Sequence, residues 1–451
     1  MSDKKTFWNA LGFRAGSDKN GLLPDEAPSF GKLILFALQQ FIVMFPATVL
    51  VALLTGFHVS TTIFASGFAT LGFIFVTGGK IPLYYGSSFS YLAAIVSITG
   101  VKYGVIASDA LISQAQFGII MSGLVSMLAG FLVIKVGMEK INKILPATVT
   151  GSIAIVIGIT LAGTAMGNAA GVGTPLAGTS TVWIISLSTL IATILFSVFL
   201  KGVLGQLPIL FGVIVGYIVS LFLGVVDFSP LTSAAFIQAP HFTLPSVSWT
   251  AVLAIMPIAI ATIPESTAHL FQIDIYVNNL AKKRGEKEYK IADRLGRNLI
   301  GDGLGDMISS LFGGPAGTNY GENISTMAIT KVFSVPVLLC SAILAILFSF
   351  FGKFSGAINT IPGPVIGGLS VYLFGVIAVQ GVGIMIEKKV DLFDNRSLAV
   401  ISTILIIGIG GAFAFPNGMI PVFGTQLPAI ATAAVWGILM NLVLVVFNKK
   451  A

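Results

Sequence analysis

Charge is what this sequence has least of. Asp, Glu, Lys and Arg make up 10% of its 451 residues, against about 25% in a soluble domain. Hydrophobic residues make up 55%, and the mean hydropathy is +0.96. A water-soluble fold could not bury that much apolar surface. Lipid is the solvent that can cover it. Period-two alternation is also missing, which excludes barrel strands; long uncharged blocks such as 401–409 and 339–351 point to helices. Cysteine is nearly absent. The single Cys340, in an apolar run, excludes a disulfide framework and reads as a buried, inert thiol. Histidine is scarce too: only His58, His241 and His269 are present. No Ser–His–Asp set, metal cluster or nucleotide loop is legible, so no catalytic residue, metal ligand or cofactor is assigned and an enzyme is not expected. The net charge of +7 follows from where the basic residues fall and implies no nucleic acid partner. No signal peptide precedes the first apolar run, and residues 1–29, polar and of mixed charge, read as a solvated cytoplasmic tail.

A spanning helix needs about 20 apolar residues. About fourteen segments emerge on that rule, near 31–54, 61–78, 86–99, 113–134, 145–163, 181–200, 207–226, 249–271, 297–313, 322–332, 333–352, 362–382, 397–414 and 427–447. With a cytoplasmic N-terminus, every Lys and Arg except Lys102 and Lys353 falls on the cytoplasmic side, from Lys4 and Arg14 through the run Lys282–Arg297 to Lys449 and Lys450. The loops 164–180, 227–248 and 415–426 have none. That asymmetry predicts a multi-pass inner-membrane protein with both termini cytoplasmic.

Segments three and ten are too short to cross about 30 Å of hydrocarbon. Each follows a stretch hostile to helix: Lys80-Ile-Pro-Leu-Tyr-Tyr-Gly86 and Gly313-Gly-Pro-Ala-Gly-Thr-Asn-Tyr-Gly321. Extended backbone at membrane depth is tolerated only inside protein or along a cavity. Short, broken segments at matching places in two halves mark a transporter's binding site. Their offset of seven spans is odd, so the second half is inverted. The expected domains are the tail 1–29, a first seven-span repeat over 30–226 and a second, inverted one over 249–447. The half-helix N-termini then meet near the midplane and offer free backbone N–H groups.

Four acids fall within apolar segments: Glu265, Asp302, Asp306 and Glu322. An ionisable group at that depth costs at least ~2.5–3.5 kcal/mol and marks a functional site by default. Glu265 and His269 are one turn apart and share a helical face, and Pro264 predicts a kink beside them. Glu322 opens the second half-helix, where the dipole favours a carboxylate. Asp302 and Asp306 are also one turn apart, among glycines that imply close helix packing. Asp302 reads as a brace for the site and Asp306 as a solvated or hydrogen-bonded structural acid. Two carboxylates opposite two backbone N–H groups ask for a small neutral ligand with two N–H donors and a carbonyl, a pattern that uracil meets. Phe89, at the start of the first half-helix, is placed to stack on such a ring.

Three motifs carry a resemblance that runs from Leu38 to the C-terminus: Gly79-Lys-Ile-Pro-Leu-Tyr-Tyr-Gly-Ser-Ser-Phe89, Pro264-Glu-Ser-Thr-Ala-His-Leu270 and Asn319-Tyr-Gly-Glu-Asn-Ile-Ser-Thr-Met-Ala-Ile-Thr-Lys331. They resemble the signatures of nucleobase–ascorbate transporters, the nucleobase–cation symporters, most of all the uracil-permease branch. The resemblance implies fourteen spans, with a core domain from spans 1–4 and 8–11 and a gate domain from spans 5–7 and 12–14. It implies that Glu265 and Glu322 accept the ring N–H groups, that the N–H groups of Phe89 and Gly321 hold a carbonyl, and that His269 and Tyr320 line the site. Asp302 matches an acid needed in some purine-transporting relatives. The chain departs from the family where Ser325 replaces Gly, Lys331 an Arg, and Gln40 a His, and in having Pro264 before the glutamate. The expected function is import of uracil by proton symport, with Glu265 carrying the proton, assisted by His269 and Asp302. A xanthine or purine permease, or an anion exchanger or channel on a similar inverted-repeat fold, is the alternative. Lipid and the nucleobase are the expected partners, and the architecture admits a homodimer through the gate.

Overall fold

The computed structural model of the protein describes residues 12–17, 20–101, 104–137, 146–422 and 425–448. Lys4, Lys5, Lys19, Lys102, Lys140, Lys143, Lys449 and Lys450 of the charge argument lie outside them. Each of the fourteen apolar segments lies on a helix or a short series of helices. Among the described residues, eight are long and apolar enough to cross a membrane, and shorter apolar helices accompany them. Their backbone hydrogen bonds close within the segment, the condition lipid imposes. Large apolar side chains such as Phe75, Phe199, Phe222 and Ile406 are exposed around the molecule, where hydrocarbon can cover them.

The first half holds α1 (Phe30–Thr55), α2 (Val59–Val76), the strand β1 (Tyr85–Ser87), a 3₁₀ turn at Phe89–Tyr91, α3 (Leu92–Thr99), α4 (Asp109–Val136), α5 (Ala147–Thr160), α6 (Ala162–Ala169), α7 (Ser180–Phe199) and α8 (Pro208–Phe222). The second holds α9 (Trp249–Ile255), α10 (Ala259–Lys283), α11 (Leu295–Leu311), β2 (Gly317–Asn319), α12 (Gly321–Thr330), α13 (Val335–Phe348), α14 (Gly363–Glu387), α15 (Asn395–Leu405) and α16 (Ala429–Asn448). Segment 145–163 is divided at Leu161, and segment 249–271 continues as helix to Lys283. Asp274 holds the turn beyond that extension by accepting from the Ile291 and Ala292 N–H groups at 2.7 and 3.1 Å.

The two helix-hostile stretches pair with each other. Tyr85, Gly86 and Ser87 face Asn319, Thr318 and Gly317 in an antiparallel ladder. Tyr320 N donates to Tyr84 O at 3.0 Å and Ser88 N to Ala316 O at 3.0 Å. Extended backbone without such partners would leave polar groups unsatisfied in a dry interior. The ladder is buried along its whole length, so α3 and α12 begin on either side of one fixed crossing.

The glycines around it explain why α11 carries so many. A Cβ at Gly301 would meet the Phe73 ring of α2, one at Gly303 the Gly123 carbonyl of α4, and one at Gly305 the Tyr85 ring. Gly301 and Gly305 open one face of the helix and Gly303 the opposite one, so α11 can be approached closely from both sides. The same approach recurs where Gly130 meets the Gly296 carbonyl at 2.6 Å from an ideal Cβ. α4 packs on α11, α2 on α13, and α5 on α14. Most of the core falls into two large buried clusters, Phe89 packs against both, and a small third one forms around Leu22 and Val337.

The end of the N-terminal segment is docked, which corrects the solvated tail. Leu22 and Leu23 are fully buried and Glu26 is 2% exposed. Leu22 N donates to Lys331 O at 2.8 Å, Phe333 N to Leu22 O at 2.8 Å, and Val335 N to Pro24 O at 3.0 Å. Arg284 donates to both Glu26 carboxylate oxygens at 2.7 Å. Arg14 pairs with Asp25 at 2.9 Å and with Glu286 at 2.5 Å. The Glu26 bond raises the Arg284 pKa, and burial, then the bond to Asp25, raises that of Tyr289, so both remain donors. Mixed charge reads as solvation; in the fold those charges pair with one another and with Arg284 and Glu286. Cys340 is likewise half-buried, packed beside Leu22 and Val337.

Candidate substrate site

The site is built on α10, α11 and the two half-helices. α10 runs unbroken through Pro264, and the break lies upstream, in a 3₁₀ turn at Met256–Ile258 that contains Pro257. Glu265 therefore projects from within α10. Its Oε2 accepts from Ser90 Oγ of the first half-helix at 3.2 Å. One turn later His269 reaches the second half-helix: an ideal Cβ on Gly321 would lie 3.1 Å from His269 Nε2. A side chain at Gly321 would crowd the imidazole against that helix start. His269 Nδ1 is buried and has no protein partner. Glu322 stands in the first turn of α12, where unpaired N–H groups and the helix dipole favour an anion or a carbonyl. Thus one helix face sets Glu265 against the start of α3 and His269 against the start of α12.

The remaining predicted residues divide by role. Phe89 begins the 3₁₀ turn before α3 and is partly buried between the two core clusters. Tyr320 is 4% exposed, and its hydroxyl lies 2.8 Å from Thr48 Oγ1 of α1. Its ring covers Gly86, where a Cβ would enter it, so Tyr320 locks the strand crossing from behind. Asp302 and Asp306 share a helix face but have separate partners. Asp302 Oδ2 accepts from Ser266 Oγ, Asn298 Nδ2 donates to that hydroxyl at 2.6 Å, and Asn319 Nδ2 approaches it at 3.3 Å. Asp302 is thereby wired to α10 one residue from Glu265, while its Oδ1 has no protein partner. Asp306 Oδ1 accepts from the Tyr85 hydroxyl at 2.5 Å and from Gly317 N at 2.8 Å, one donor from each strand. It is a strut for the crossing, and being 2% exposed it is not solvated.

Reasoning from the sequence did not identify Ser90, Ser266, Asn298 or Thr48. Asn298 precedes Asp302 by one turn, so its shared face was readable. Ser90 and Thr48 are joined to their partners only by the fold. Gln40, where a histidine was expected, is 1% exposed, and its Oε1 accepts from Asn323 Nδ2 of α12 at 2.7 Å. It ties the first span to the second half-helix.

Comparison with known proteins then decides the family. The profile of the Permease family matches residues 31–417. The chain is 38% identical over 442 residues to the uracil permease of Bacillus caldolyticus, covering 93% of each protein. It is 37% identical over 421 residues to that of Escherichia coli K12, covering 93% of this chain and 92% of the relative. The chain belongs to the nucleobase–ascorbate transporter family. It is a multi-pass membrane permease, not an enzyme. The permease shares its fold with SLC26A9, at a TM-score of 0.64 and 13% identity over 92% of this chain and 65% of that one. The same holds for the transmembrane domain of the cyanobacterial bicarbonate transporter BicA, at 0.55 and 14% over 92% and 97%. At that identity the likeness concerns the fold alone.

Proposed function

We propose that the permease imports uracil across the inner membrane by proton symport. The observation that carries this reading is the placement of Glu265 and His269 by one helix face against the starts of both half-helices, with Glu322 in the first turn of the second. Relatives named uracil permeases, 36–38% identical over most of the chain, support the substrate. On this reading Glu265 and Glu322 accept the two ring N–H groups, the Phe89 and Gly321 N–H groups donate to a carbonyl, and Phe89 stacks on the ring. Tyr320 holds the crossing. On the same reading Glu265 loads a proton from the outside and releases it inside, with His269 and Asp302 assisting.

The packing supports fourteen spans in two inverted repeats. An exchange of spans seven apart maps the α4–α11 pair onto the α13–α2 pair, β1–β2 onto itself and α5–α14 onto itself. Core and gate domains that move against one another, cytoplasmic termini and a homodimer through the gate complete the proposal.

Uptake of labelled uracil into proteoliposomes, with and without an inward proton gradient, tests it. The wild type should accumulate uracil only with the gradient, and 3-methyluracil should compete poorly because it leaves a buried carboxylate unpaired. Glu265→Gln keeps the shape but cannot exchange a proton, and should lose gradient-driven accumulation. Undiminished accumulation in that variant would remove Glu265 from the proton's path. Equal competition by 3-methyluracil would discard the two-carboxylate site.

A further inference from the structure

Two of the three histidines lie far from the substrate site. His58 caps the start of α2, His241 lies in the long loop before α9, and Asp109 is the first residue of α4. All three sit on the face opposite the basic loop 282–297. The fold brings them together, which the sequence did not show. His241 Nε2 lies 3.0 Å from each oxygen of Asp109. The His58 and His241 rings are 4.5 Å apart, centroid to centroid, at an angle of 41°. One ligand atom from each of the three residues can be chosen so that all lie within 4.8 Å of one another.

From this geometry we infer that His58, Asp109 and His241 bind a divalent transition-metal ion of the zinc class. Two imidazoles and one carboxylate are a donor set that suits such an ion, with a coordination position left for water. Metal–ligand bonds of about 2.0–2.2 Å need the donor atoms closer together than the 4.8 Å within which they stand here, so binding would draw the three side chains together. The backbones beneath the three side chains are already fixed. Thr61 Oγ1 donates to the His241 carbonyl at 2.6 Å, tying the loop to α2 one turn beyond His58. The residues that follow His241 are anchored as well. The Phe242 ring packs edge-on against Phe64 at 5.0 Å, and Thr243 Oγ1 donates to Gln116 Oε1 at 2.9 Å. A donor set on rigid backbone is prepared for one ion.

Access and charge agree with that assignment. Asp109 and His241 are exposed, and His58 is half-buried. A cavity of about 440 Å³ opens beside His58 and His241 and is lined further by Ser60, Gln238, Ser355 and Asn359. Water and an ion can reach the donors through it. Lys353, on the same face, donates to the Leu231 and Thr232 carbonyls at 2.9 and 3.1 Å rather than to Asp109. A bound ion would join the outer ends of α2 and α4 to the loop that leads into α9 and α10, the helix of Glu265.

The plain alternative is a His241–Asp109 hydrogen bond with a second imidazole stacked on it. Titration of the purified full-length permease with Co²⁺, after removal of any purification tag, separates the two. The inference expects a saturable visible d–d absorption with one equivalent of Co²⁺, displaced by Zn²⁺. His58→Gln and His241→Gln should each weaken Co²⁺ binding by at least ~100-fold, the upper end of what loss of even an outer-shell partner costs. Zn²⁺ should raise the melting midpoint of the wild type and leave those of the variants unchanged. Melting without metal shows whether each variant is folded, and Asp109→Asn takes the place of either one that is not. No saturable cobalt spectrum in the wild type, or an undiminished one in the folded variants, would overturn the site.

Discussion

Asp306 offers the sharpest separation of structure from transport. Its Oδ1 takes one donor from each strand of the crossing, Tyr85 Oη at 2.5 Å and Gly317 N at 2.8 Å. Both donors are buried. Asp306→Ala leaves both without an acceptor, and each orphaned buried group costs about 1–3 kcal/mol. Together they amount to about 2–6 kcal/mol, concentrated on the ladder that sets where α3 and α12 begin. Asp306→Asn is a different perturbation. Its amide oxygen can occupy the Oδ1 position and keep both bonds, losing only the charge-assisted part, about 1 kcal/mol. The expected result is a marked fall in melting midpoint and loss of uracil binding in Asp306→Ala. Asp306→Asn should bind uracil near the wild-type level and still accumulate it under a proton gradient. Thermal melting of the purified protein, a direct binding assay and proteoliposome uptake read the three quantities. If Asp306→Asn bound uracil normally but lost gradient-driven accumulation, Asp306 would be a proton carrier and the strut reasoning wrong. If Asp306→Ala behaved as wild type, the crossing would not depend on it.

Two further outcomes follow from the packing. Gly86→Ala places a methyl group in the Tyr320 ring, and overpacking of about 1–3 kcal/mol should lower the melting midpoint and weaken uracil binding; unchanged binding would mean that the crossing tolerates displacement. In the N-terminal clasp, the Glu26 side chain is 3% exposed and that of Arg284 21%, and Arg284 keeps Glu286 as a second partner at 2.9 Å. Glu26→Ala should therefore cost about 1–3 kcal/mol, below the ~3–5 kcal/mol of a fully buried broken pair, and a double-mutant cycle with Arg284→Ala should show coupling; strictly additive losses would refute the pairing.

The sequence by itself determined the solvent and much of the architecture. Fourteen apolar segments, two of them short and broken, are local patterns, and local patterns are what hydropathy and backbone satisfaction read. It also placed Glu265, His269 and Glu322 on the right elements, because a spacing of four fixes a helical face without any tertiary contact. Partners were another matter. Ser90 and Glu265 are 175 residues apart, and Tyr85 and Asp306 are 221 apart. Asp302 and Asp306 look alike in sequence, on one face of one helix. Only the fold sends the first to Ser266 and the second to the strand crossing. Pro264 points in the sequence to a kink beside Glu265; the helix continues through it, and a 3₁₀ turn at Pro257 interrupts the segment upstream. Residues 20–29 look solvated because their charges lack neighbours in sequence, yet the Arg284 guanidinium pairs with Glu26 and the Lys331 carbonyl takes the Leu22 N–H from more than 250 positions away. The His58–Asp109–His241 group was invisible for the same reason: side chains from two helix starts and one loop have no spacing to read, and meet only once the chain has closed.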